Sequence, residues 1–174
     1  CEQIEIEPSR DAATRFIPPG PQARFIPSIF QKETLPEKSA SLICFFQMLD
    51  HVPEPGVFLE AVYKTLEPGG VAVCVTHNTR AASARLLGRL SPIFDIEHTF
   101  LFHPDNLSRL FQREGFSHVF SFPISNQYTL EYWFRLIPLP RRFKKWVGSV
   151  LSFLGLMNLT LRVRAGNFAV IACK

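Results

Sequence analysis

The sequence predicts an α/β fold built on a mainly parallel sheet, and three observations within residues 42–78 carry that prediction. LICFFQ is a short continuous apolar run, which fits a strand buried on both faces. VAVCVT is a second such run, rich in β-branched residues. Between them lies a stretch with helical periodicity, and a strand–helix–strand unit of this length is a right-handed crossover.

Each element follows from local chemistry. IEIEPS alternates as a strand does, and Ser9 is a good N-cap for a short helix containing Ala12, Ala13 and Phe16. Residues 17–41 are rich in proline; RFIPSIF is readable as a short strand, and LPEKSASLI leads into LICFFQ. Asp50, Pro53 and Pro55 break that run, and a helix begins at Pro55. Val57, Phe58, Ala61, Val62 and Leu66 then recur on one apolar face. Pro68-Gly69-Gly70 stops the helix, glycine supplying the left-handed turn. A helix from Ala81 to about Leu87 follows VAVCVT. Pro104-Asp105-Asn106 starts another, with Leu107, Leu110 and Phe111 toward the core and Gly115 closing it. SHVFSFPI and NFAVIACK read as the last strands.

The 174 residues correspond to one domain spanning 1–174, with a helical insertion at about 128–159. A composition 47% hydrophobic and 20% charged is that of an ordinary globular protein, and a net charge of +4 does not argue for nucleic acid. Cys1, Cys44, Cys74 and Cys173 lack CxxC spacing, so reduced core thiols are expected. The histidines show no HxxxH spacing, so no metal is expected. Without a signal peptide or a membrane-length apolar run, a cytoplasmic location is the expectation. The chain opens without Met, at or inside a strand, and reads as starting partway through a longer protein.

Ligands of open α/β sheets bind outside the carboxyl ends of the strands, and that rule selects the candidate residues. Glu7 ends the first readable strand, where an acid accepts ribose hydroxyls; the alternative is a solvated acid favoured by the next helix dipole. Phe46 and Gln47 end LICFFQ. His51 follows in the loop, with an imidazole suited to general-base work at neutral pH or to an orienting role. His77 and Asn78 end VAVCVT on the substrate side. His98 is either a substrate-side group or a packing histidine. In the insertion, Arg135, Arg141, Arg142, Lys144 and Lys145 lie among Trp133, Trp146 and other aromatics. Such a segment could rest on an anionic membrane surface, grip an acidic substrate or nucleic acid, or simply cover the site.

MLDHVPEP followed by FLEAVYKTLEPGG resembles the segment joining the fourth and fifth strands of class I S-adenosylmethionine-dependent methyltransferases. In this chain Asp50 stands where glutamate is usual and Glu67 where lysine is usual. DIEHTFLFHPDNLSRLFQREGF is similar to a later segment of that family. The resemblance implies a Rossmann-like sheet whose last two strands form an antiparallel hairpin, and S-adenosyl-L-methionine as cofactor. It implies a ribose-binding role for Glu7, an adenine contact for Gln31, with Phe30 beside it, and a methionine-end lining from Phe46 and Gln47. His51 and His98 are the catalytic candidates; His77 and Asn78 are the substrate-binding ones. The acceptor is expected to be a small or lipid-linked molecule, with peripheral membrane contact through the Trp133–Trp146 region. The family's glycine-rich loop has no counterpart, because no glycine precedes Gly20 and no GxGxxG spacing occurs. The first strand is therefore expected to be missing, with the sheet exposing edges or splitting in two. Two other readings share these residues: a non-catalytic methyltransferase-like binding module and a nicotinamide dehydrogenase.

Overall fold

A computed structural model describes residues 2–15, 20–94, 98–137 and 139–174; Cys1, Phe16 and residues 95–97 of the DIEHTF segment lie outside that description. In chain order the elements are β1 (Gln3–Ile6), α1 (Arg10–Arg15), β2 (Ala23–Ile26), β3 (Ala40–Phe46), α2 (Pro55–Thr65), β4 (Leu66–His77) and α3 (Ala82–Leu87). They continue with α4 (Pro104–Arg113), β5 (Ser117–Pro123), β6 (Asn126–Thr129), α5 (Leu130–Leu136), α6 (Arg141–Phe153), β7 (Thr160–Val163) and β8 (Asn167–Cys173).

The described strands form three separate sheets. β1 and β2 pair in parallel as one ribbon, and a four-stranded sheet runs β3-β4-β8-β5. β3 and β4 are parallel, while β8 runs antiparallel to both β4 and β5. The expected C-terminal antiparallel pair is therefore β5 and β8. A third ribbon, β6-β7, closes the base of the helical insertion. Its four-residue strands were not anticipated from the sequence.

The core lies between the sheet and α2 with α4. Leu59, Val62, Leu66, Leu107, Phe111 and Phe168 are wholly excluded from solvent, each contributing roughly 1.5–3 kcal/mol by burial. α4 starts as the sequence indicates and adds a device: His103 and Asn106 form a reciprocal capping box. After α2 the chain turns at Gly69, whose φ of +81° confirms the left-handed glycine. The turn is a bulge inside β4, where pairing to β3 skips from Leu66 to Val71.

Three expectations about burial need correction. β3 is not covered on both faces: Phe45 enters the core, but Leu42, Cys44 and Phe46 are exposed. It is the edge strand of its sheet, and the β1-β2 ribbon is not hydrogen-bonded to it. Cys44 is accordingly no core thiol, although Cys74 is buried; both are free. Val57 leaves the apolar face of α2 and lies 59% exposed, and Leu59 takes a core place instead.

Candidate active site

The carboxyl ends of β3 and β4 meet at one residue, Asp50. It sits in a 3-10 turn at Leu49–His51 that follows β3 directly. Its side chain is only 3% exposed, and its Oδ2 receives His77 Nδ1 from the end of β4 at 2.8 Å. His98 Nε2 stands 3.6 Å from the same oxygen. His51 Nε2 stands 4.0 Å from Oδ1. The rings of His51 and His77 each approach His98, with centroids 4.8 and 5.0 Å away.

Backbone bonds hold this cluster together across the chain. Phe100 N–H donates to the Asp50 carbonyl at 3.1 Å, which brings the His98 loop onto the turn. Thr79 N–H donates to the Phe102 carbonyl at 2.9 Å, tying that loop to the end of β4. Asn78 N–H donates to the Gly166 carbonyl at 2.7 Å. Burial pushes the Asp50 carboxyl up, but the His77 hydrogen bond, a backbone N–H and the neighbouring imidazoles outweigh it and hold the group below its ordinary range. Asp50 is thus an ionised carboxylate. His77 donates to it from Nδ1, which leaves the Nε2 lone pair of the neutral ring as an acceptor.

Beside the cluster opens a cleft of about 660 Å³, lined by Ile29, Phe30, Gln31, Met48, His51 and Val57 among others. Phe30 packs edge-on against Phe58, with ring centroids 5.5 Å apart. Gln47, at the end of β3, has φ +51°, a conformation that a non-glycine side chain adopts at a cost of about 1–3 kcal/mol. Among the described residues, the buried side-chain oxygens without a hydrogen-bond partner are Gln47 Oε1, Asp50 Oδ1 and Thr76 Oγ1. All three lie at the carboxyl ends of β3 and β4. Buried polar atoms are normally paired, and these three oxygens are left with capacity to accept further hydrogen bonds.

The sequence candidates fall into three groups. His51, His77 and His98 converge on Asp50, which was noted in the sequence only as a departure from the usual glutamate. Gln31 and His51 share the cleft, whereas Gln47 and exposed Phe46, at the end of β3, are not among its lining residues. Glu7 stands at the end of β1, its Oε1 accepting Ser9 N–H at 2.9 Å. Asn78 Oδ1 accepts Arg80 N–H at 2.9 Å, so its oxygen shapes the turn. The residues fit an adenosyl ligand in having an acid, an amide and apolar walls at strand ends, together with a partnerless amide oxygen.

The insertion presents a different surface. α6 has no buried residue, and Phe143, Trp146, Val150 and Phe153 share an exposed stripe. Trp133 Nε1–H donates to the Leu161 carbonyl at 3.2 Å, which anchors α5 to β7. Lys144 is also engaged, its Nζ donating to the carbonyls of Arg135 and Ile137 at 2.6 and 3.0 Å and so capping α5. No described helix is long and apolar enough to cross a membrane.

Comparison with known proteins identifies the family and the fold. A family model described as a methyltransferase domain matches residues 2–119. Among solved structures, a SAM-dependent methyltransferase from Archaeoglobus fulgidus aligns with TM-score 0.60 at 16% identity, over 98% of this chain and 75% of that one. One from Thermotoga maritima aligns with TM-score 0.61 at 15% identity, over 97% and 72% of the two chains. Another from Mesorhizobium loti aligns with TM-score 0.59 at 15% identity, over 99% and 80%. No curated protein sequence matches. With more than half its length matched, the chain belongs to the methyltransferase domain family and has the class I fold of S-adenosylmethionine-dependent enzymes.

Proposed function

We propose that the protein is an S-adenosylmethionine-dependent methyltransferase acting on a hydroxyl of a lipid-linked acceptor. The observation that carries the reading is the Asp50 carboxylate with its three imidazoles, set at the carboxyl ends of adjacent parallel strands and beside an apolar cleft. When bound, S-adenosylmethionine supplies an electrophilic methyl on a sulfonium. Glu7 would hold its ribose hydroxyls and Gln31 its adenine, with Phe46 and Gln47 at the methionine end. Asp50 fixes the tautomer and orientation of His77, whose Nε2 accepts the acceptor's proton while the carboxylate stabilises the imidazolium. This assignment moves the base from His51 or His98 to His77. Alignment of the reacting groups in such a site can lower the barrier by about 7–11 kcal/mol, so no covalent intermediate is required.

The lipid-linked part of the reading is supported by α6. Its exposed Phe143, Trp146, Val150 and Phe153 are flanked by exposed Arg141, Arg142 and Lys145, the pattern of a helix lying in an anionic lipid interface. Incubation with S-[methyl-³H]adenosylmethionine and total membrane lipid tests both parts. Label is expected in the organic phase and falls about a hundredfold or more with His77→Ala. Label confined to the aqueous phase rejects the lipid-linked acceptor; no protein-dependent label in either phase rejects the activity. Trp146→Ala with Phe153→Ala should also release the protein from phosphatidylserine vesicles on sedimentation.

A further inference from the structure

We infer that the Asp50 carboxylate, His51 and His98 form a binding site for a divalent transition-metal ion of the zinc type. Asp50, His51 and His98 offer ligand atoms that all lie within 4.8 Å of one another. The spacing argument against a metal considered only ligands close in sequence. The fold instead assembles the set from residue 50–51 and from a loop nearly fifty positions later.

The hydrogen-bond pattern carries the inference further than proximity does. His98 Nδ1 is 3.0 Å from the Ile93 carbonyl. A carbonyl has no proton to give, so Nδ1 holds the hydrogen and Nε2 of the neutral ring presents a lone pair. That lone pair faces Asp50 Oδ2, the oxygen that also receives His77, at 3.6 Å. Two lone pairs facing each other across a buried gap repel unless a cation stands between them. A proton on Nε2 is one such cation. The partnerless, buried Oδ1 and the approach of a third donor, His51, favour a metal ion instead.

The surroundings have the form of a metal site's supporting layer. His98 is oriented by the Ile93 carbonyl, and the other Asp50 oxygen is held by His77; ligands are commonly fixed in this way. Two imidazoles and one carboxylate make a three-ligand set that leaves a position open, as catalytic zinc sites do. Ligands at about 2.0–2.2 Å from zinc lie roughly 3.3–3.5 Å from one another, so closure on the ion needs shifts of about an ångström. His51 is 41% exposed at its side chain and lines the cleft. The role assigned to the ion rests on the methyl-transfer reading, although its binding does not. A hydroxyl at the open position would be acidified and would pass its proton to His77 Nε2.

The test titrates chelator-stripped protein with Zn²⁺ by calorimetry and with Co²⁺ by visible absorption. One equivalent per chain is expected, with ligand-field bands for Co²⁺. His51→Ala and His98→Ala should each weaken Zn²⁺ binding at least about tenfold, and His118→Asn on β5 should leave it unchanged. If His98→Ala unfolds the chain by circular dichroism, exposed His51→Ala carries the test. Absence of stoichiometric uptake, or uptake indifferent to His51, overturns the inference and leaves the proton as the cation. A parallel titration with S-adenosylhomocysteine separates the two readings: Zn²⁺ uptake without nucleoside binding rejects the methyl-transfer reading alone.

Discussion

The four-stranded body and the α5–α6 insertion hold apolar residues in opposite ways. In the body, Phe111 and Phe168 are wholly buried, whereas in the insertion Phe153 is 90% exposed. The same residue type therefore does two jobs, packing in one region and offering a surface in the other. The difference teaches that the insertion's aromatic content is no measure of its contribution to folding. It also separates two kinds of test, one read in stability and the other in surface binding.

The largest effect should come from the body. Phe111→Ala is expected to lose about 3–5 kcal/mol in denaturant unfolding, while Phe153→Ala should stay within about 0.5 kcal/mol. Equal losses would erase the contrast. Next come two glycines with positive φ. A Cβ at Gly166, φ +112°, would meet Ser83, Ala81 and Ile93 at 3.0–3.1 Å, whereas one at Gly69, φ +81°, meets nothing within 4 Å. Both substitutions to alanine bear the left-handed cost of about 1–2 kcal/mol; Gly166→Ala should exceed Gly69→Ala by the added contacts, as measured by thermal unfolding.

Within the insertion, the two tryptophans sharpen the comparison. Trp133→Ala removes the bond to Leu161 and should lower stability by about 1–3 kcal/mol. Trp146→Ala should change stability by less than about 0.5 kcal/mol and act only on vesicle binding. The smallest effect concerns His103. Burial and the nearby Arg80 guanidinium hold its pKa below the ordinary 6.5. The unfolded chain therefore binds the proton more readily, and this contribution to stability is lost as pH falls below that value. Protonated His103 also cannot accept Asn106 N–H, so the protection factor of that amide, its exchange relative to the intrinsic rate at each pH, should fall between about pH 7 and 5. An unchanged protection factor would show that the cap is not sensitive to protonation.

Elements set by neighbouring residues were readable in the sequence. Pro55, the Gly69 turn and Gly115 punctuate the chain, and the spacing of Phe58, Val62, Leu107 and Phe111 marks faces that do enter the core. Burial of β3 was misread because an apolar run reports what a strand can bury, not what lies beside it. Glu7 and Gln47 were selected by their place at strand ends and Gln31 by the family resemblance, and Gln47 gained weight from its strained backbone and partnerless oxygen. Asp50 was missed as a site residue because two of its three imidazole neighbours, His77 and His98, come from segments distant in sequence. The recurrence of histidine near successive strand ends, with one acid among them, was the available signal.

The most direct test of methyl-group chemistry at this sheet edge is calorimetric titration of S-adenosylhomocysteine into the chain, its Gln31→Ala and Gln47→Ala variants, and His77→Ala. One-to-one binding that weakens at least about tenfold with each glutamine variant, a loss of about 1.4 kcal/mol, is the predicted result. His77→Ala should leave binding unchanged. No saturable binding, or binding indifferent to both glutamines, would contradict the account.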